Sequence, residues 1–349
     1  PRPMDSTPRA PRFARQLAFA GLGPAGQARL ERARVAIVGV GALGGAAALA
    51  LSRAGVGFLR LIDRDLVDES NLPRQVLFDA RHAAQRAPKA QAAVETLERA
   101  GGPTRYEARL VHLGASALGD CLEDVDLVLD GTDNVGTRYL LNDWCVRQAK
   151  AWVHAGVVGS QTRALLIVPG TGGCLRCLFP EPPLPGQLET CESGGVLGPA
   201  VLVAAGWQAA LALRHLAAEP AERAQAAGRF LCSDVWTGEQ ASVRAERDPD
   251  CPCCAGRRFE YLEQAEHQQP LALCGRNAVQ VPGRGQPPDR PRLIERLERS
   301  GARELRVAGP LLAFLHEGLR FTLFPDGRCL VEGTEDLNLA QAHCERLLL

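Results

Sequence analysis

The sequence predicts an α/β fold: a doubly wound, Rossmann-like, mainly parallel sheet with a structural zinc site, followed by a small C-terminal α+β domain. Three observations carry this. Apolar runs alternate with helical stretches through the first half of the chain, the pattern of a parallel sheet covered on both faces. A glycine-rich turn, Gly39-Val-Gly41-Ala-Leu-Gly44, joins the first of those runs to a helix. Two Cys-x-x-Cys pairs flank a long insertion.

Residues 1–15 are rich in Pro and Arg and read as an arm, and Pro24–Arg32 reads as a short helix. Arg34–Gly39 is a continuous apolar strand, Ala42–Ala54 an Ala/Leu helix and Phe58–Asp63 a second strand. A helix from Gln85 to Ala100 leads to a third strand at Tyr106–Val111. Asp126–Asp130 is a fourth strand, Gly136–Lys150 a helix, Ala151–Ala155 a fifth strand and Arg163–Val168 another. The Pro/Gly-rich stretch Gly170–Gly195 breaks the alternation before an apolar helix from Pro199 to Ala217. Residues 257–290 read as a polar linker. Residues 291–349 read as the α+β domain: a helix at Leu293–Ser300, strands at Leu319–Phe324 and Arg328–Glu332 about a Pro-Asp-Gly turn, and a closing helix from Leu337.

Composition excludes several classes. An apolar share of 46% supports a sizeable core. Basic and acidic residues balance at 40 each, which argues against a dedicated nucleic-acid or anionic-membrane surface. Only two of the cations are lysines, Lys89 and Lys150. Leu17–Leu22 is too short for a signal peptide, and Val196–Leu213, with Pro199 and Gln208, suits a buried helix better than a membrane span. The 12 cysteines are then expected to be reduced thiols or metal ligands in a cytoplasmic protein.

The glycine turn brings phosphates to helix N-terminal amides, and Asp63 ends the next strand, where an acid accepts a ribose hydroxyl. Alone these do not separate a dinucleotide from ATP. Asn71-Leu-Pro-Arg74-Gln75 follows in a loop, Lys89 comes fourteen residues later, and Asp130-Gly-Thr-Asp133-Asn134 ends the fourth strand. Two cations, a strand-end carboxylate and an amide-bearing loop at one sheet edge describe a triphosphate and its Mg²⁺. Singly, Arg74 reads as a surface charge and Asp133 as a helix cap. The pairs Cys174/Cys177 and Cys251/Cys254 supply four thiolates for a closed tetrahedral Zn²⁺ site, with Cys253 an alternative to Cys254.

In these motifs the chain resembles the ThiF/MoeB/HesA family, bacterial relatives of ubiquitin-activating enzymes. The resemblance spans roughly Arg12 to Gly256 and includes Arg12-Phe-Ala-Arg15-Gln16 and Thr190-Cys191. It implies an adenylation domain over 16–256 that activates the C-terminal Gly-Gly carboxylate of a ubiquitin-like sulfur carrier with ATP. By this resemblance Gly39, Gly41, Ala42, Leu43, Gly44, Asp63, Asn71, Gln75 and Asn134 would line the nucleotide. Arg74 and Lys89 would hold phosphates, and Asp133 would hold Mg²⁺ and the reacting phosphate. Arg15 would reach a neighbouring subunit's site in a homodimer, and Cys191 could accept the activated acyl group. The family also favours Cys254 over Cys253 as the fourth ligand. Cys274-Gly-Arg276-Asn277 reads as a turn or as a second sulfur-handling thiol. The competing readings are adenylation of another carboxylate (a peptide terminus or a modified tRNA base), an NAD-dependent oxidoreductase, and a non-catalytic scaffold half. In the oxidoreductase, Arg74, Lys89 and Asp133 would have no task, and a scaffold would not need the full set of site residues.

Overall fold

The computed structural model describes residues 12–183, 194–219, 221–263, 270–273, 277–283 and 289–348. The chain divides into two compact units, Pro1–Gln264 and Ala265–Leu349.

The first unit is built on eight strands: β1 Arg34–Val38, β2 Phe58–Ile62, β3 Arg105–Arg109, β4 Leu127–Asp130, β5 Trp152–Val158, β6 Gln161–Ile167, β7 Arg229–Asp234 and β8 Gln240–Arg244. Their order is β3-β2-β1-β4-β5-β6-β7-β8. The first five pair in parallel and the last three add as antiparallel hairpins. Successive side chains of a strand point to opposite faces. Val35 and Ile37 of β1 therefore enter one core, and Ala36 and Val38 the other. A strand that is apolar at every position is what a sheet buried on both sides requires. Strand order reverses between β1 and β4, so the crevice at their C-terminal ends is the switch point where such sheets bind ligands.

Helices Ala42–Arg53 and Gly198–Ala217 share the first core, while Leu118–Leu122 and Val135–Arg147 cover the other face. Among the described residues one helix, Gly198–Ala217, is long and apolar enough to cross a membrane. It lies against the sheet, with Ala200, Ala204, Ala205 and Ala212 buried. Its buried Gln208 donates to the carbonyls of Asp130 (2.7 Å) and Val153 (3.1 Å).

Three expectations need correction. The helix expected from Gln85 begins at Lys89, behind a separate turn at Ala80–Ala84. Pro88 disfavours helical backbone at the residue before it, and Arg86 is left-handed at φ 49°. The arm expected through residue 15 is already helical at Ala14–Leu17, where Gln16 donates to the Ala54 carbonyl at 2.8 Å. Residues 257–290, expected as a linker, supply two strands to the second unit. These are β9 Leu271–Leu273 and β10 Ala278–Val281, the latter buried along its length. Elements of three or four residues among Pro and Gly are too short to show a period.

The second unit is one antiparallel sheet with β11 Arg303–Ala308, β12 Leu311–His316, β13 Leu319–Leu323 and β14 Cys329–Glu332. Its order is β11-β12-β13-β14-β10-β9. Phe314 and Phe321 face each other across β12 and β13 and stack at 4.9 Å between centroids. Leu293 and Leu297 of helix Arg290–Arg299, and Ala340 and Leu347 of helix Leu337–Leu348, close this core.

Candidate functional site

The glycine turn is constrained from within and open from without. Gly39 is left-handed (φ 80°), and a Cβ there would sit 2.8 Å from the Gly131 carbonyl oxygen. A Cβ on Gly44 would overlap the Gly39 carbonyl, so both glycines let β1, β4 and the helix Ala42–Arg53 approach closely. At Gly41 the nearest atom to such a Cβ is the Gln75 amide at 3.6 Å. That residue is spared a side chain for something outside the chain. No side chain caps this helix, so the first-turn amides of Ala42, Leu43 and Gly44 are left for an anion.

Asp63 ends β2 in the crevice. Its carboxylate accepts from the backbone N–H of Val40 and of Asp65, both at 2.7 Å, which ties the glycine turn to the second strand. Burial pushes its pKa up, and the nearby Lys89 ammonium opposes the shift. Lys89 opens its helix and is 4% exposed, and among the described residues its ammonium makes one hydrogen bond, to Asp65 Oδ2 at 3.4 Å. An ammonium has three donors, so this one is under-used. Asn71 and Gln75 are buried with Oδ1 and Oε1 unpartnered. Buried polar atoms are normally paired, and a ligand would complete these. Arg74 is half-buried and donates to the Ser70 carbonyl at 2.8 Å.

The end of β4 holds a network that sequence reasoning missed. Asp130 is fully buried and accepts from Thr132 N (3.0 Å), Thr132 Oγ1 (2.6 Å), Arg138 Nε (3.0 Å) and His154 Nδ1 (2.9 Å). Burial alone would raise its pKa; Arg138, then His154 and Thr132, outweigh it and hold the carboxyl below its ordinary value. Burial pushes His154 down, against the Asp130 hydrogen bond, which keeps the ring neutral with its proton on Nδ1. Arg138 sits in the first turn of the following helix, a weak signal. His154 was visible only as a polar residue inside the apolar run Trp152–Val158. The network fixes the loop Gly131–Asn134. There Asn134, not Asp133, caps the helix Val135–Arg147, accepting from Thr137 N at 2.9 Å. Asp133 is exposed and makes no hydrogen bond or ion pair with any described residue.

The four predicted zinc ligands converge. Cys174 Sγ lies 3.6 Å from Cys251 Sγ and 3.9 Å from Cys177 Sγ, and Cys177 Sγ lies 3.4 Å from Cys254 Sγ. All four sulfurs lie within 4.8 Å of one another. Thiolates about 2.3 Å from a tetrahedral zinc stand roughly 3.8 Å apart, so the set fits Zn²⁺. Cys253 falls outside this group and accepts from Asn142 Nδ2 at 3.3 Å, which leaves Cys254 as the fourth ligand.

The ThiF family pattern matches residues 13–253. The chain belongs to the ThiF family. It is 34% identical over 334 residues to the sulfur carrier protein ThiS adenylyltransferase of Bacillus subtilis (strain 168), across 95% of this chain and 97% of that protein. It is 36% identical to the sulfur carrier protein adenylyltransferase of Thermus thermophilus, across 76% of this chain and 96% of that protein. Among solved structures, E. coli MccB with MccA-N7isoASN superposes with a TM-score of 0.62 at 22% identity, over 72% of this chain and 76% of that one, a likeness of fold. This ThiF-family chain is an adenylyltransferase that uses ATP.

In this ThiF-family chain Arg15 is exposed and lies at the opposite edge of the sheet from the crevice. Its neighbour Gln16 bonds to Ala54, at the far end of the helix that starts beside Gly41. Twelve helical residues separate the two by about 18 Å. Thr190, Cys191, Cys274 and Arg276 lie outside the described residues.

Proposed function

We propose that the chain adenylates the C-terminal Gly-Gly carboxylate of a ubiquitin-like sulfur carrier protein, with Mg²⁺-ATP as co-substrate. The observation that carries this is the unpartnered Asp133 carboxylate, on a loop braced by Asp130, beside open helix amides and the under-used Lys89 ammonium. A carboxylate oxygen attacks the α-phosphorus, the bond to the β-phosphate oxygen breaks, and pyrophosphate leaves. The nucleophile is already ionised, so the site needs no base. It needs positioning and charge stabilisation. The amides of Ala42, Leu43 and Gly44, together with Arg74 and Lys89, would hold the phosphates, and Asp63 the ribose. Asn71, Gln75 and Asn134 would complete the pocket. Asp133 would hold Mg²⁺, which supplies charge neutralisation on the departing pyrophosphate. Zn²⁺ on the four cysteines would have a structural role.

The names of the relatives support the carrier as substrate. ATP–pyrophosphate exchange tests it. Exchange that requires a carrier with an intact Gly-Gly tail is the expected result. Exchange only with another carboxylate would move the substrate to a peptide terminus or a modified base. No ATP binding at all would return the site to the dinucleotide reading. The Cys191 thiolate would then attack the carbonyl carbon of the acyl adenylate, forming a thioester and releasing AMP. Cys191→Ser should then leave exchange near normal and stop transfer.

The far-edge position of Arg15 supports a homodimer in which this residue serves the neighbouring subunit. Mixing Arg15→Ala with Asp133→Ala, each inactive alone, then restores one complete site per heterodimer, about a quarter of wild-type sites in a random mixture. No recovery would mean that Arg15 acts within its own subunit or not at all.

A further inference from the structure

The second unit carries a polar cluster with no part in adenylation. β12 ends on His316, Glu317 and Gly318 turn the chain into β13, and His343 faces them from the helix Leu337–Leu348. One donor atom from each of His316, Glu317 and His343 lies within 4.8 Å of the other two. Glu317 Oε1 is 3.8 Å from His316 Nε2, and Glu317 Oε2 is 3.7 Å from His343 Nε2. Both rings are buried, at 7% and 8% exposure, while the carboxylate opens to solvent. Two buried imidazoles on different elements thus flank one exposed carboxylate.

The turn does not explain the glutamate. Glu317 has φ 48° and Gly318 φ 79°, both left-handed, in a two-residue hairpin connection that favours Asn-Gly. A glutamate there is strained, and what it contributes is a carboxylate between two histidines.

A cation already rests against part of the cluster. Arg346 Nη2 donates to Glu317 Oε1 at 2.9 Å and lies 3.1 Å from His343 Nδ1. This arginine is more than half exposed, so its pairing with an exposed carboxylate is a weak hold in water. With Arg346 in place, His343 accepts on Nδ1 and carries its proton on Nε2. Once Arg346 swings away, the proton can move to Nδ1 and the Nε2 lone pair turns toward Glu317. The His316 ring is also incompletely satisfied. Its Nε2 donates to the Ser300 carbonyl at 3.2 Å, while its Nδ1 is buried without a partner. Moving its proton to Nδ1 frees Nε2 at the loss of that one bond.

We propose that His316, Glu317 and His343 bind a divalent first-row transition cation, with Arg346 standing in the site until the metal displaces it. Two neutral imidazoles and a carboxylate suit Zn²⁺ and its neighbours, and the solvent-facing side leaves coordination positions to water. The donor set is distinct from the all-thiolate centre of the first unit, so the two sites have different spectroscopic signatures.

The test uses the full chain, with one equivalent of zinc already in the four-cysteine centre, titrated with Co²⁺ alone. A second equivalent should bind with weak visible d–d absorption and no thiolate-to-cobalt band. Arg346→Gln should tighten this binding about fivefold by removing the internal competitor. His343→Gln and Glu317→Gln should each abolish it, with unchanged thermal unfolding and carrier-dependent exchange. Glu317 is exposed, so the second variant carries the test if a histidine variant misfolds. Absence of a second equivalent in both wild type and Arg346→Gln overturns the proposal. So does a second equivalent that survives Glu317→Gln and His343→Gln, or binding that weakens in Arg346→Gln.

Discussion

Replacing His154 by Leu keeps most of the side-chain volume and removes one donor from a buried carboxylate. Asp130 then accepts from Arg138 and Thr132 alone, at a fully buried position. A hydrogen bond to a charged group is worth about 1.5–3 kcal/mol. In a unit of this size each kcal/mol moves the melting point by roughly 2–4 °C, so the melting point should fall by about 3–12 °C. The same network fixes the loop that presents Asp133. Carrier-dependent pyrophosphate exchange should therefore drop about tenfold or more in kcat, with little change in KM for ATP, since the glycine turn and Lys89 are untouched. His154→Asn places an amide N–H close to the lost Nδ1 and should recover much of both quantities. Differential scanning calorimetry and exchange kinetics on the three proteins read the result. A Leu variant that melts and turns over like wild type would refute the reasoning, because the His154–Asp130 bond would then stabilise neither the fold nor the loop.

Gly44→Ala should fail to fold or melt far lower, since its methyl overlaps the Gly39 carbonyl, whereas Gly41→Ala should fold normally and bind ATP more weakly; circular dichroism and ATP titration separate the two. Cys254→Ser should lose the zinc equivalent seen by metal analysis, and Cys253→Ser should retain it, its hydroxyl still able to accept from Asn142. Asp133→Ala should abolish exchange and leave melting point and zinc content unchanged, because the exposed side chain makes no hydrogen bond or ion pair with any described residue. Burial, then the charge of Arg223, pushes His215 down to about 4. Its folded value lies below its unfolded one of about 6.5, so the unfolded chain binds the extra proton and stability falls as pH drops through that window. From pH 7 to 5 the loss attributable to His215 is up to about 2 kcal/mol, and urea midpoints should show it reduced in His215→Gln.

Strands β1, β2 and β4 were legible because each is a short apolar run ending at Gly39, Asp63 or Asp130, and because a helix follows two of them at once. The zinc ligands were legible because Cys-x-x-Cys is a local spacing. Cys254 was favoured over Cys253 in the sequence too, but the Asn142 contact that engages Cys253 was not legible, since Asn142 lies more than a hundred residues away in the chain. The Asp130 network was illegible for the same reason. His154 meets Asp130 only when β5 lies beside β4, and Gln208 only when its helix lies across both. β7 escaped because its residues are only half-buried and mixed in polarity. The cap at Asn134 and the free carboxylate at Asp133 are adjacent in sequence and opposite in role, a distinction that backbone geometry alone makes.

One helix joins the metal centre to the adenylation site. Val135–Arg147 begins at the Asn134 cap, one residue beyond Asp133, and its first turn supplies Arg138 to Asp130. One turn further on, Asn142 accepts from Leu175 N at 3.0 Å and donates to Cys253, and Asp143 accepts from Tyr261 N at 3.2 Å. Between them, Tyr139 donates its hydroxyl proton toward the carbonyls of Phe179 and Glu181, on the chain that leaves Cys177. Eight helical residues span about 12 Å, so the helix N-terminus and its zinc-side contacts belong to one rigid rod. On the proposed function, the four-cysteine lobe would set the angle at which Asp133 meets the phosphates even from a distance. On this geometry a zinc ion on the four cysteines would act through the orientation of a helix. Its removal should degrade the placement of the β4 loop before it degrades the glycine turn, which is anchored through β1 and β2.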